Sequence, residues 1–173
     1  MMRSFLLPTL LTILLAVTVP FASSVTGNSL QEPRASPILT ISGKIRVTNK
    51  GQAALFDRTM LEALGLKTIE TTTPWFKGRV KFEGVPLSKL METVGAAGDK
   101  IIATAVNDYS VIIPIEDFGK YGVILALKRD GEYMTISNKG PSFIVYPYDD
   151  YPELHSQKFY ARSAWQVTRI VVE

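Results

Sequence analysis

Three short segments hold the side chains best suited to chemistry. Thr71-Thr72-Thr73-Pro74-Trp75 sets three hydroxyls beside a large aromatic, Asn107-Asp108-Tyr109 joins an amide, a carboxylate and a phenol, and Arg162-Ser163-Ala164-Trp165 puts a permanent cation and a hydroxyl near an indole. At a strand end or hairpin tip, such groups can converge on a flat polar ring. Each segment also has a purely structural reading. Tyr109 and Trp165 suit packing, with one polar handle each; Asn107 and Asp108 suit a turn; the Thr triplet suits a strand. Arg162 would find an ion-pair partner in Asp149, Asp150 or Glu153, and Lys139-Gly140-Pro141 reads as turn geometry.

Other chemistries are excluded by what the chain lacks. It has no cysteine, so neither a disulfide, a thiolate metal site nor a cysteine nucleophile is available. The single histidine, His155, lies near Glu153, Asp149 and Asp150, a set too small for a catalytic metal, so these residues read as a solvated acidic loop. No G-x-S-x-G elbow, Gly-rich phosphate loop or zincin motif is present. The net charge of +3 falls when Arg3 leaves with the N-terminal segment, and the remaining cations are scattered among acids, which argues against nucleic acid as a partner. No internal repeat appears.

The elements that must position these segments are short. Leu39, Ile41, Ile45 and Val47 alternate as a strand, bulged at Gly43. Asp57 caps a helix whose Met60, Leu61 and Leu64 share a face, with Gly65 as its stop. A strand over Leu66 to Thr73 ends at Pro74, and Val80, Phe82 and Val85 resume extended structure. Leu87, Leu90, Met91 and Val94 have helical spacing before Gly95. Ile101 to Val106 and Tyr109 to Pro114 form a hairpin through Asn107-Asp108. Val123 to Lys128 reads as a buried strand, with Asp130-Gly131 as a type I′ turn after it. Phe143 to Tyr146 is another buried strand. A long loop, Tyr148 to Tyr160, precedes the last strand around Trp165 to Val172. The class is α+β, mainly β, in one domain over residues 38–173.

The start of the chain reads as an export signal. Arg3, an uncharged apolar run from Phe5 to Val19, and then Pro20 with Ala22-Ser23-Ser24 follow the order of a cleavable secretory segment, assigned to residues 1–24. Residues 25–37 are mostly polar, with Gly27, Pro33 and Pro37 and little hydrophobic patterning, and read as a flexible lead-in. The expected location is periplasmic.

The order of the segments resembles the oxidoreductase molybdopterin-binding family, which has the sulfite-oxidase-type fold. The likeness runs through Ile38 to Gly43, Phe82 to Leu90, Val106-Asn107-Asp108-Tyr109, Leu125 to Gly131, Lys139-Gly140-Pro141 with Tyr146-Pro147, and Trp165 with Ile170. In that family a cysteine at the end of the strand that here reads Ile69 to Thr73 holds molybdenum, and this chain has none. An arginine common near Phe143 and a lysine common at Ala164 are also missing. The resemblance therefore implies no catalytic residue and no metal, and a reduced, metal-free pterin in place of molybdopterin. Thr-Thr-Pro-Trp and Arg-Ser-x-Trp are similar to segments of short periplasmic pterin-binding regulators. These act on the periplasmic domain of a membrane-bound cyclic-di-GMP enzyme, a diguanylate cyclase or phosphodiesterase. By that resemblance the ring contacts are Thr73, Trp75, Asn107, Tyr109, Asn138, Lys139, Arg162 and Ser163. Side-chain chemistry then suits Trp75 or Tyr109 to stack on the ring, Asn107 and Ser163 to satisfy its amide-like edge, and Arg162 to face a carbonyl or hydroxyl oxygen. Two other readings stay open on sequence alone: a molybdenum-cofactor oxidoreductase with non-protein ligands replacing the thiolate, and a ligand-free module whose aromatic loop docks a partner.

Overall fold

The computed structural model of the protein describes residues 30–173, so the assigned signal segment and the first residues of the lead-in lie outside it. The described residues form β1 (Leu39–Gly43), β2 (Ala54–Phe56), α1 (Arg58–Ala63), β3 (Lys67–Thr73), β4 (Phe76–Pro86), α2 (Leu87–Thr93), β5 (Lys100–Ala105), β6 (Ser110–Pro114), α3 (Glu116–Tyr121), β7 (Ile124–Arg129), β8 (Glu132–Tyr133), β9 (Phe143–Val145), α4 (Gln157–Arg162) and β10 (Val167–Val172). The class is α+β, mainly β, as the alternation of apolar residues predicts.

One sheet has the order β2-β1-β10-β5-β6; the other runs β3-β4-β7-β8, with β9 also paired to β7. In the first sheet β1 and β10 are parallel, while the other neighbours are antiparallel. Strand β7 is buried on both faces. Leu125 and Leu127 point into the main core with Ile41, Phe56, Leu90 and Ile170, whereas Ile124 and Ala126 join a smaller core with Phe82, Met134 and Phe143. Because successive side chains on a strand alternate, one apolar run supplies both cores.

Local chemistry accounts for most boundaries. Asp57 accepts the Met60 amide at 2.9 Å and so caps α1. Its other oxygen takes the amides of Arg34 at 2.8 Å and Ala35 at 3.0 Å, so this stretch of the expected flexible lead-in is tethered to the domain. Asp130 and Gly131 both have positive φ, as a type I′ turn requires. Strand β1 stops at Gly43 instead of bulging and continuing to Val47. Gly43 has φ +88°, and a Cβ there would meet the Val172 carbonyl at 2.2 Å, so the chain turns away where it meets the end of β10. Two helices lie where the sequence reading has none: α3, and α4 inside the stretch assigned to a loop.

Candidate functional site

Three segments far apart in sequence meet around a cavity of about 420 Å³. The β5–β6 hairpin brings Ala105, Asn107 and Tyr109; α4 brings Gln157, Tyr160 and Ala161; the link from α4 to β10 brings Ser163, Ala164 and Trp165; and Trp75 comes from the β3–β4 turn. Of the residues expected to contact a ring, four line it: Trp75, Asn107, Tyr109 and Ser163.

Trp75 is the hub of the wall. Its indole meets Phe143, Tyr148, Tyr160 and Trp165 edge-on, with centroid distances from 5.5 to 6.3 Å. The Thr73 hydroxyl turns back to accept the Trp75 and Phe76 amides, which sets the turn that presents the indole. Thr73 thus serves the wall from behind. The triplet does more than suit a strand: Thr71 Oγ1 accepts the Asp149 amide, and Asp149 accepts both the amide and the hydroxyl of Thr72. Burial alone would raise the Asp149 carboxyl, but the hydrogen bonds from Thr72, together with the nearby Arg79 and His155, hold it below the ordinary carboxylate range. Asp149, though exposed, is therefore a latch between β3 and the segment after β9.

The polar groups of the wall differ in what they have left to offer. Ser163 Oγ bonds Tyr148 Oη and donates to the Phe159 carbonyl, so its proton is committed. Tyr160 Oη lies 3.3 Å from His155 Nδ1. At the hairpin tip, Asn107 Oδ1 accepts the Tyr109 amide, leaving its Nδ2 free among the described residues. Tyr109 is half exposed, and Asp108 between them has φ 63° and pairs with Arg169 at 2.6 Å. The tip is thus held open with an amide and a phenol toward the cavity.

Arg162 is not part of the lining. Its Nη1 lies 2.6 Å from Asp117 Oδ2, and Tyr146 donates to the same oxygen at 2.8 Å, all largely buried. The expected acids Asp149, Asp150 and Glu153 are not its partner; Asp117 on α3 is. Lys139 and Asn138 also lie off the cavity, although Lys139 Nζ sits 3.6 Å from the centre of the Trp165 ring. Among the described residues no group of three or more His, Cys, Asp or Glu side chains comes together. The sequence reading missed Gln157, Tyr160 and Ala161. Ser156 ahead of the Phe159–Arg162 spacing was the available sign of the helix that presents them.

A family model described as the oxidoreductase molybdopterin binding domain matches residues 54–148. Among solved structures, the sulfane dehydrogenase SoxCD from Paracoccus pantotrophus is similar, with a TM-score of 0.57 and 18% identity over 78% of this chain. The chain spans 37% of the length of that protein, and the likeness is one of fold. No curated protein matches.

Proposed function

Because this chain belongs to the oxidoreductase molybdopterin binding domain family, we propose that its aromatic cavity holds the ring of a reduced, metal-free pterin and that the protein acts by binding it. The observation that supports this reading is the lining itself: four aromatic rings, two carboxamides and no cationic or thiol side chain. A molybdenum-bearing molybdopterin does not fit that set. The chain has no cysteine to ligate the metal, and Phe143 and Ala164 are buried apolar residues. The charged metal-bearing end of the cofactor, buried against Phe143 and Ala164 without partners, would cost several kcal/mol. A neutral pterin ring needs only a stacking face and donors and acceptors along its edge. Trp75 and Tyr109 offer the face; Asn107 Nδ2 and the Gln157 amide offer the edge.

We place the protein in the periplasm, reached through residues 1–24, as a regulator of the periplasmic domain of a membrane-bound cyclic-di-GMP enzyme. Tyr109 lines the cavity and is about half exposed, where a partner would sense whether it is filled. The test is to denature protein purified from the periplasm, record the fluorescence and mass of the released small molecules, and measure molybdenum on the same sample. A metal-free pterin is the expected result. Stoichiometric molybdenum with molybdopterin would refute the proposal and make this an oxidoreductase.

A further inference from the structure

We propose that Arg129, Lys139 and Asn138 form an oxyanion site beside Trp165, outside the cavity lining. The site rests on its own geometry and not on the pterin reading. Arg129 Cζ lies 4.4 Å and Lys139 Nζ 5.8 Å from the centre of the same Phe76 ring, so one ring carries both cations. Asn138 Oδ1 accepts Arg129 Nη1 at 2.8 Å, which leaves its Nδ2 as a further donor. The cluster has donors and almost nothing to receive them. Lys139 makes no ion pair among the described residues, and the carboxylate nearest Arg129 is that of the exposed Asp130, 3.9 Å from Nε.

The backbone holds this arrangement in place. Lys139 has φ 67°, a left-handed conformation that a lysine seldom adopts. It is fixed there because its carbonyl accepts the Gln166 amide and the flanking Asn138 and Gly140 amides both donate to Thr135. A residue held in such a conformation points to a constraint beyond packing. Burial and the facing Arg129 hold the Lys139 ammonium below the ordinary lysine range, as expected of two cations brought together without an anion. A phosphate or carboxylate group relieves that repulsion and takes charge-assisted bonds from both. Trp165 lines the cavity and carries Lys139 over its ring. The anion can therefore be a substituent of the molecule in the cavity or a free oxyanion.

The test titrates the full chain with inorganic phosphate at low ionic strength, following tryptophan fluorescence, with chloride as the control. The expected result is saturable binding that Arg129→Gln and Lys139→Gln each weaken by about tenfold or more. Lys139→Arg should retain it, and Lys89→Gln, a surface cation on α2, should leave it unchanged. Non-saturable binding, or equal weakening by Lys89→Gln, would overturn the site as generic surface charge. A pterin with a phosphate-ended side chain and the same pterin without phosphate then separate the two sources. Tighter binding of the first that vanishes in Lys139→Gln assigns the anion to the occupant of the cavity; equal binding with the phosphate titration intact assigns it to a free oxyanion. If no pterin binds but phosphate does, the function proposed above fails and this site stands.

Discussion

Arg162→Ala separates a ligand contact from a structural one. The guanidinium reaches Asp117 Oδ2 at 2.6 Å, and the two side chains are 15% and 6% exposed. Removing Arg162 leaves the Asp117 carboxylate buried, with the Tyr146 hydroxyl as its remaining side-chain partner. Burial pushes the Tyr146 phenol far above its ordinary range, so it stays a donor at every working pH and cannot compensate by changing its state. Breaking a buried ion pair in this way costs about 3–5 kcal/mol, and the residual access of water puts Arg162→Ala near the lower end. That loss corresponds to about 6–12 °C in Tm for a domain of this size. Urea unfolding followed by tryptophan fluorescence reads it directly. The double variant Asp117→Asn with Arg162→Met, which removes both charges and keeps a side-chain oxygen to accept the Tyr146 hydroxyl, should recover most of the loss. If Arg162→Ala unfolds at the wild-type urea midpoint yet sheds pterin, the structural assignment is wrong and Arg162 touches the ligand.

Tyr109→Ala should do the reverse: because the side chain is half exposed, the urea midpoint should hold while pterin affinity falls about three- to tenfold, read by ligand fluorescence. Asp57→Ala should cost about 1–2 kcal/mol at neutral pH through the lost cap of α1. The Met60 amide, helped by those of Ala35 and Arg34, holds the Asp57 carboxyl below its ordinary range. Its contribution is therefore complete above the unfolded value of about 3.9 and is lost as pH falls through the lower folded value, so the variant should show a flatter acid limb in a stability–pH series. Gly84→Ala should cost about 3 kcal/mol or more, measured by the same urea titration, because a Cβ there would meet the Leu125 carbonyl at 2.2 Å.

What could be read from the sequence followed from locality. Asp57 with Met60, Asp130-Gly131 and the Asn107-Asp108 tip are short-range signals, and the structure uses each of them as cap or turn. The cavity was half legible for the same reason. Trp75, Asn107 and Tyr109 stand at strand ends where side chains are free to converge, whereas Tyr160 and Gln157 lie on a six-residue helix too short to show a clear period. Arg162 was misplaced because its partner is 45 residues away, on a helix the apolar pattern did not mark. Thr72 and Asp149 are 77 residues apart, and no local rule links them. Charge pairing across the fold depends on which elements pack together, which spacing along the chain does not encode.

The parallel pairing of β1 with β10 bears on how the molecule assembles. Thr40 lies opposite Arg169, so the first and last strands of the domain are neighbours in one sheet, with β10 also holding β5 on its other side. Until β10 arrives, β1–β2 and β5–β6 are two separate hairpins with exposed edges and no strand between them. A contact spanning most of the domain is slow to form, since its loop-closure entropy must be met before any pairing rewards it. The first sheet should therefore close only once its C-terminal strand is available, and deleting β10 should leave β1–β2 and β5–β6 unpaired with each other on the shared core, read as a lost cooperative urea transition.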